Sequence, residues 1–210
     1  MEIHAPEGPV HNWREFAVHI AIVTIGILIA LSLEGIRESI HNRHVVREAR
    51  ENFSRELEIN REHMNQEAPA VKQANKDLKA LVADLPALAQ HPGDLKKKID
   101  AIHNPFYFFN LGSWQSALST GALGHMNTDE VSLYAIAEEA TRVYSNLQSD
   151  TMRAENNAVA YVESHPDPTP AELREASERL LLWSRSEQTL AYVVDQFQPE
   201  IEAAYKKAKQ

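Results

Sequence analysis

Apolar residues along this chain return mostly at intervals of three and four, and no stretch alternates convincingly with period two. That pattern predicts an all-α protein. The first element is unlike the rest: Phe16 to Leu33 reads FAVHIAIVTIGILIALSL, eighteen residues without a formal charge. As a helix it is about 27 Å long, close to the thickness of a bilayer core. Its only polar interruptions are His19, Thr24 and Ser32, too few to give the wet face of a soluble helix.

Beyond Leu33 the helical pattern continues to about Gln66, with Ile36, Ile40, Ala49, Phe53, Leu57 and Met64 as its apolar stripe. Pro69 suits a first helical turn and is expected to open a second helix. There Val71, Ala74, Leu78, Leu81, Leu85 and Leu88 step by three and four as a heptad seam, and Pro86 kinks or ends it. His91-Pro92-Gly93-Asp94 predicts a turn, followed by a short helix from Asp94 to about His103. A loop over 104–113 carries Phe106, Tyr107, Phe108 and Phe109. Ser113 is expected to cap a brief helix from Trp114, stopped near Gly121 or Gly124.

Thr128 is the expected cap of a long helix to about Ser164, with Leu133, Ile136, Ala140, Val143, Leu147, Ala154 and Tyr161 as its buried stripe. Thr169-Pro170-Ala171-Glu172 is a capping box with proline at the first helical position, the most specific local signal in the chain. The last helix carries Leu173, Ala176, Leu180, Trp183, Glu187, Leu190, Val194, Phe197, Ile201, Ala204 and Ala208 on one seam. Glu187 is the one charged member, and in a closed core it should meet an arginine or sit at an opening. Pro199 should bend this helix. The expected architecture is a tail (1–15), a transmembrane helix (16–33) and an antiparallel helical bundle (34–210) with coiled-coil-like seams.

The flanks of the apolar run decide between an anchor and a cleaved signal. Ala30-Leu31-Ser32 would pass as a cleavage site, but Arg14 is the one basic residue set against Glu2, Glu7 and Glu15 before the run. An uncleaved single-pass helix fits better, with Trp13 as an interfacial residue. Arg37, Arg43, Arg47 and Arg50 follow the run within twenty residues, so the positive-inside rule places the C-terminal domain in the cytoplasm, with a periplasmic domain as the alternative. Inside the run, Gly26-x-x-x-Ala30 and Ala17-x-x-x-Ala21 have the small-residue spacing that permits close helix approach.

Charge and composition narrow the function. The formal net charge is −9, which demotes nucleic-acid binding. From Thr128 onward there are fifteen acidic against eight basic residues, so the acidity concentrates on the last two helices as a solvated face. The absence of cysteine excludes disulfides, thiolate metal sites and cysteine nucleophiles. Nucleophile elbows, phosphate loops and dinucleotide fingerprints are absent. Glu38-x-x-His41, beside His44 and Glu48, has the spacing of a di-iron ligand pair, yet no second Glu-x-x-His exists to complete it. His19 is the one ionisable group in the apolar run; burial against a partner helix or interfacial exposure competes with a pigment ligand or proton carrier. No catalytic residue, cofactor site or metal set is assigned.

Trp13-Arg14-Glu15-Phe16 with Ile25-Gly26-Ile27-Leu28-Ile29-Ala30-Leu31 resembles the anchor of uncharacterised single-pass bacterial inner-membrane proteins. Glu56-Leu57 with Asn60 resembles the helix that follows in those families, and Trp114-Gln115-Ser116-Ala117 with Thr120-Gly121-Ala122-Leu123 resembles their central segment. The resemblance implies a bacterial inner-membrane protein with a helical domain and implies no activity.

Two groups of residues are therefore the candidates. Trp13, Phe16, His19, Gly26, Ala30 and Leu33 mark the membrane anchor. Phe106, Tyr107, Phe108, Phe109 and Trp114 are either a satellite core or a surface for a partner or the bilayer. The expected role is a scaffold or accessory subunit of a larger membrane assembly, whose partners are the lipid bilayer and other membrane proteins or a second copy. A ligand-sensing bundle is the alternative, and a metal- or haem-binding protein using the juxtamembrane histidines is the remote one.

Overall fold

The structure is a computed structural model that describes residues 13–88, 90, 93–102 and 104–209. The first twelve residues of the expected tail, His91-Pro92 of the expected turn and His103 lie outside the described residues. The chain divides into Met1–Val45 and a compact unit, Val46–Gln210. All the regular structure described is helical: α1 (Trp13–Leu88), α2 (Gly93–Asp100), α3 (Ser113–Ser119), a 3₁₀ turn (Ala122–His125), α4 (Thr128–Ser164) and α5 (Pro170–Ala208).

In the first unit the apolar stretch of α1 is long and apolar enough to cross a membrane, and none of it is buried among the described residues. Ile36 and Ile40, expected to begin the buried stripe, are exposed; Val46 is the first buried position. Ser32 satisfies its hydroxyl locally, donating to the Leu28 carbonyl at 2.7 Å.

Pro69 does not open a helix, because α1 runs through both Pro69 and Pro86 to Leu88. An internal proline costs about 3 kcal/mol when nothing compensates. Here Pro69 faces solvent, where water can satisfy the freed carbonyl, while Met64, Glu67, Ala68 and Val71 around it are buried. Tertiary packing on both sides holds the helix across the defect. The seam of Val71, Ala74, Leu78, Leu81 and Leu88 is buried as expected, with Leu85 packed at its margin.

Cross-helix bonds set the topology of the second unit. Asn65 and Gln198, Arg61 and Glu202, and Glu58 and Lys209 pair in opposite order along α1 and α5, so these helices are antiparallel. Arg50 with Glu130 and Glu67 with Gln148 pair in the same order, so α4 runs alongside α1 in the same direction. A chain that leaves α1 at one end and must start α4 at the other needs a return path. That path is α2, an irregular strap over residues 104–112, and α3 with the 3₁₀ turn.

Local chemistry explains most of the boundaries. α5 begins in the expected capping box: Thr169 Oγ1 accepts from Glu172 N at 3.3 Å, and Glu172 Oε2 accepts from Thr169 N at 2.7 Å. Of the expected α5 seam, Ala176, Leu180, Trp183, Glu187, Leu190, Val194, Ile201 and Ala204 are buried and Leu173, Phe197 and Ala208 are half-buried, and the helix continues through Pro199. α4 starts at Thr128, but its cap is Asn127, whose Oδ1 accepts from Asp129 N at 2.8 Å. Gly121, at φ 75°, ends α3 in the left-handed conformation. The short α2 stops at Asp100 and tucks Leu95 and Ile99 into the core.

The buried line of α4 is rotated from the expected one. It consists of Glu130, Tyr134, Ala137, Ala140, Thr141, Tyr144, Gln148, Thr151, Ala158 and Val162. Leu133, Val143, Leu147, Ala154 and Tyr161 flank it half-buried, and Ile136 is exposed. The rotation has a physical source: several inward positions are polar and carry hydrogen bonds, which an apolar count discards.

Candidate functional site

The strap is held by one face of α1. Glu56, Asn60, His63 and Glu67 step by four, three and four, which aligns them along a single helical stripe. Glu56 Oε2 accepts from the backbone N–H groups of Gly112 and Ser113 at 2.8 and 2.9 Å. Asn60 pairs with Asn110 as a strand neighbour would: Nδ2 donates to the carbonyl and Oδ1 accepts from the amide, both at 2.8 Å. His63 Nδ1 lies 2.8 Å from the Phe108 carbonyl oxygen. Glu67 Oε2 accepts from Tyr107 N at 3.4 Å. An irregular segment has no ladder of its own, so these side chains supply the partners that its backbone requires.

This arrangement corrects the expected cap of α3. Gly112 occupies the N-cap position without a side-chain cap, and Ser113 is the first helical residue. The acceptor at that end is Glu56, from another element.

The aromatic cluster divides. Phe109 packs edge-on against Tyr144, with ring centroids 5.2 Å apart, and also meets His63. Tyr107 lies over His63 at 5.3 Å. Trp114 is half-buried beside Phe53, which stacks on Tyr134 at 4.2 Å. Phe106 is half-buried. Phe108 alone points outward, 83% exposed, with Leu111 and Leu118 uncovered along the same segment. The satellite-core reading therefore fits Phe109 and Trp114, and the surface reading is left to Phe108 and its two leucine neighbours.

Beneath the strap lies a buried polar layer. It separates an apolar cluster around Leu78, Leu180 and Trp183 from another around Met64, Tyr144 and Leu190. Gln148 Nε2 donates to Glu67 Oε1 at 2.7 Å and to the Tyr107 carbonyl at 2.9 Å. Asn104 Nδ2 is shared between Glu187 Oε2 at 2.9 Å and Glu155 Oε2 at 3.4 Å. Glu67 and Glu187 are fully buried. Asn75 Oδ1, Asn104 Oδ1 and Thr151 Oγ1 are buried without a hydrogen-bond partner among the described residues.

Such a layer holds its carboxylates away from their ordinary ionisation. Burial pushes the Glu67 carboxyl up to about 6, against the opposing bonds from Gln148, Tyr144 and Tyr107. Burial, and then the neighbouring Glu155 charge, push Glu187 up to about 8. Burial raises Glu155 as well. The expectation that Glu187 meets an arginine or an opening is not met: its partner is the neutral Asn104 amide. Proton retention takes the place of a counter-ion.

Among the sequence candidates for the anchor, Trp13, Phe16, His19, Gly26, Ala30 and Leu33 are all exposed. A Cβ placed on Gly26 would meet no atom within 4 Å. Glu38 and His41 are exposed too, and among the described residues no three His, Asp or Glu side chains gather to hold a metal ion. The layer of Glu67, Asn104, Gln148 and Glu155 was not singled out from sequence. The available signal was a charged residue at a seam position, which Glu67 between Met64 and Val71 shares with Glu187. No family model, no curated protein and no solved structure matches the chain.

Proposed function

We propose that this chain is a membrane-tethered helical scaffold or accessory subunit of a larger assembly in a bacterial inner membrane, with no catalysis of its own. The observation that carries the reading is the apolar stretch of α1, which is long enough to span a bilayer and is not buried among the described residues. Trp13 at its start and the arginines after it support a single pass with the C-terminal domain in the cytoplasm. The likeness of this stretch to anchors of single-pass bacterial proteins agrees. Phe108, Leu111 and Leu118 are the residues best placed to meet another membrane protein or a second copy, since they are the uncovered apolar groups on a segment fixed from behind.

A second reading, a ligand-sensing bundle, is favoured by Asn75 Oδ1, Asn104 Oδ1 and Thr151 Oγ1, which are buried without a hydrogen-bond partner among the described residues, because a polar ligand or ordered water would satisfy them.

Two measurements on native membranes test the first reading. Carbonate washing should leave the protein in the pellet, and mild-detergent purification should recover a stoichiometric membrane-protein partner or a defined oligomer that Phe108→Ser weakens. Release by carbonate removes the tether. A monomer with no partner, unaffected by Phe108→Ser, removes the scaffold role.

A further inference from the structure

Two residues of the strap have both of their main-chain groups taken by side chains of the bundle. Asn60 donates to the Asn110 carbonyl and accepts from the Asn110 amide. Three residues earlier, Gln148 donates to the Tyr107 carbonyl while Glu67 accepts from the Tyr107 amide. Gln148 also donates to Glu67, which joins α4 to α1 beneath that point. Between the two clamps the Phe108 carbonyl oxygen lies 2.8 Å from His63 Nδ1. The backbone on either side of Phe108 is thereby fixed. Phe109 is turned in against Tyr144, and Phe108 is turned out as the most exposed large apolar side chain among the described residues.

A connection that merely returns the chain to the start of α4 does not need this. An exposed loop leaves its main-chain groups to water. Here Asn60, Glu67 and Gln148 are buried, at inward positions of α1 and α4 where apolar side chains would pack without losing hydration. Polar groups in those places cost stability, and what they secure is the conformation of the strap. The residue held between them, Phe108, belongs to neither apolar cluster around Leu180 or Leu190.

We propose that Asn60, His63, Glu67 and Gln148 are positioning residues that set Phe108 in place for docking on a partner. The inference rests on the reading of Phe108 as a contact residue. A side chain already held where the partner meets it loses less freedom on binding than one on a mobile loop. The clamps therefore raise affinity without touching the partner.

The chain has no cysteine, so Phe108→Cys provides a single site for a nitroxide label. Spin-resonance spectra of the full chain in mild detergent then report the order of the strap at that point. Asn60→Leu, and separately Glu67→Met combined with Gln148→Met, should change the label from restricted to mobile. A label at Tyr192→Cys, exposed on α5, should not respond, and the melting temperature should hold or rise. With Phe108 intact, either change should lower recovery of the partner or oligomer from native membranes by about tenfold. A label that stays restricted in both variants overturns the positioning role. So does a melting temperature that drops in both, which would make these side chains staples of the core, and so does a mobile strap with full recovery. If Phe108→Ser itself keeps full recovery, the docking reading fails first and the positioning role falls with it.

Discussion

Arg50 and Glu130 form a two-bonded ion pair between α1 and α4. Arg50 donates from Nε to Oε1 at 2.8 Å and from Nη2 to Oε2 at 2.7 Å. Tyr134 OH adds a third bond at 3.1 Å and stacks its ring on Phe53. The Glu130 side chain is 7% exposed, but Arg50 is 49% exposed, so solvent screens part of the attraction. The Arg50 guanidinium holds the Glu130 carboxyl below its ordinary range. A depressed carboxyl stabilises the fold above its unfolded value and loses that contribution as pH falls through the folded one. Arg50→Ala should therefore cost about 1–3 kcal/mol near neutral pH. Urea titrations should show the difference from wild type shrinking at pH 3; an equal difference at both values would deny the pair its electrostatic role. Glu187 shifts the other way for want of such a partner. Its seam position is plain in the sequence, but its partner is not, because Asn104 lies 83 residues away on an irregular segment.

At the scale of elements, legibility follows the range of the interaction. The capping box of α5 is contained in four residues, and its start is where the sequence places it. Thr169→Ala removes the acceptor for Glu172 N and should lower stability by about 1 kcal/mol, with Thr169→Ser nearly silent. Equal melting temperatures for wild type and the alanine variant would remove this cap from the account. The start of α3 is the opposite case, since its acceptor is Glu56 on another helix, 57 residues before Ser113. Pro69 shows the same limit: its local preference for a first turn is overridden by buried neighbours on both sides. The seams of α1 and α5 were legible because their inward residues are almost all apolar. That of α4 was misplaced because Thr141, Gln148 and Thr151 point inward and bear hydrogen bonds or lie in the polar layer. The strap itself has no periodicity to read, although the Glu56–Asn60–His63–Glu67 stripe that holds it does.

For the molecule as a whole, the open choice in the sequence was whether the long seam of α5 closes on the chain's own helices or on a second copy. Leu190 is fully buried in a cluster with Met64, Ala68 and Val71 of α1, Tyr144 of α4, and Val194 and Ile201 of its own helix. Leu190 has no exposed surface left once α1 and α4 cover it, so this part of the seam closes on the chain's own helices. Leu190→Asp loses the apolar burial and places a carboxylate where the cluster offers no counter-charge, a combined penalty of several kcal/mol against a domain stability of about 5–15. The bundle should unfold, and circular dichroism of the fragment from Ser39 onward should show the loss of helix with it. A variant that keeps its helicity and passes from oligomer to monomer on sizing would mean that the seam also serves assembly. With that seam internal, any contact with partners must use what the bundle leaves uncovered. On the strap and α3 that is Phe108, Leu111 and Leu118, and in the first unit it is the apolar face of α1 from Phe16 to Leu33. Under the proposed scaffold role, partner recognition and membrane attachment are expected to be separable by mutation. On that reading Phe108→Ser should reduce co-purification without releasing the protein from membranes, because Phe108 belongs to neither core cluster and is not part of the apolar stretch.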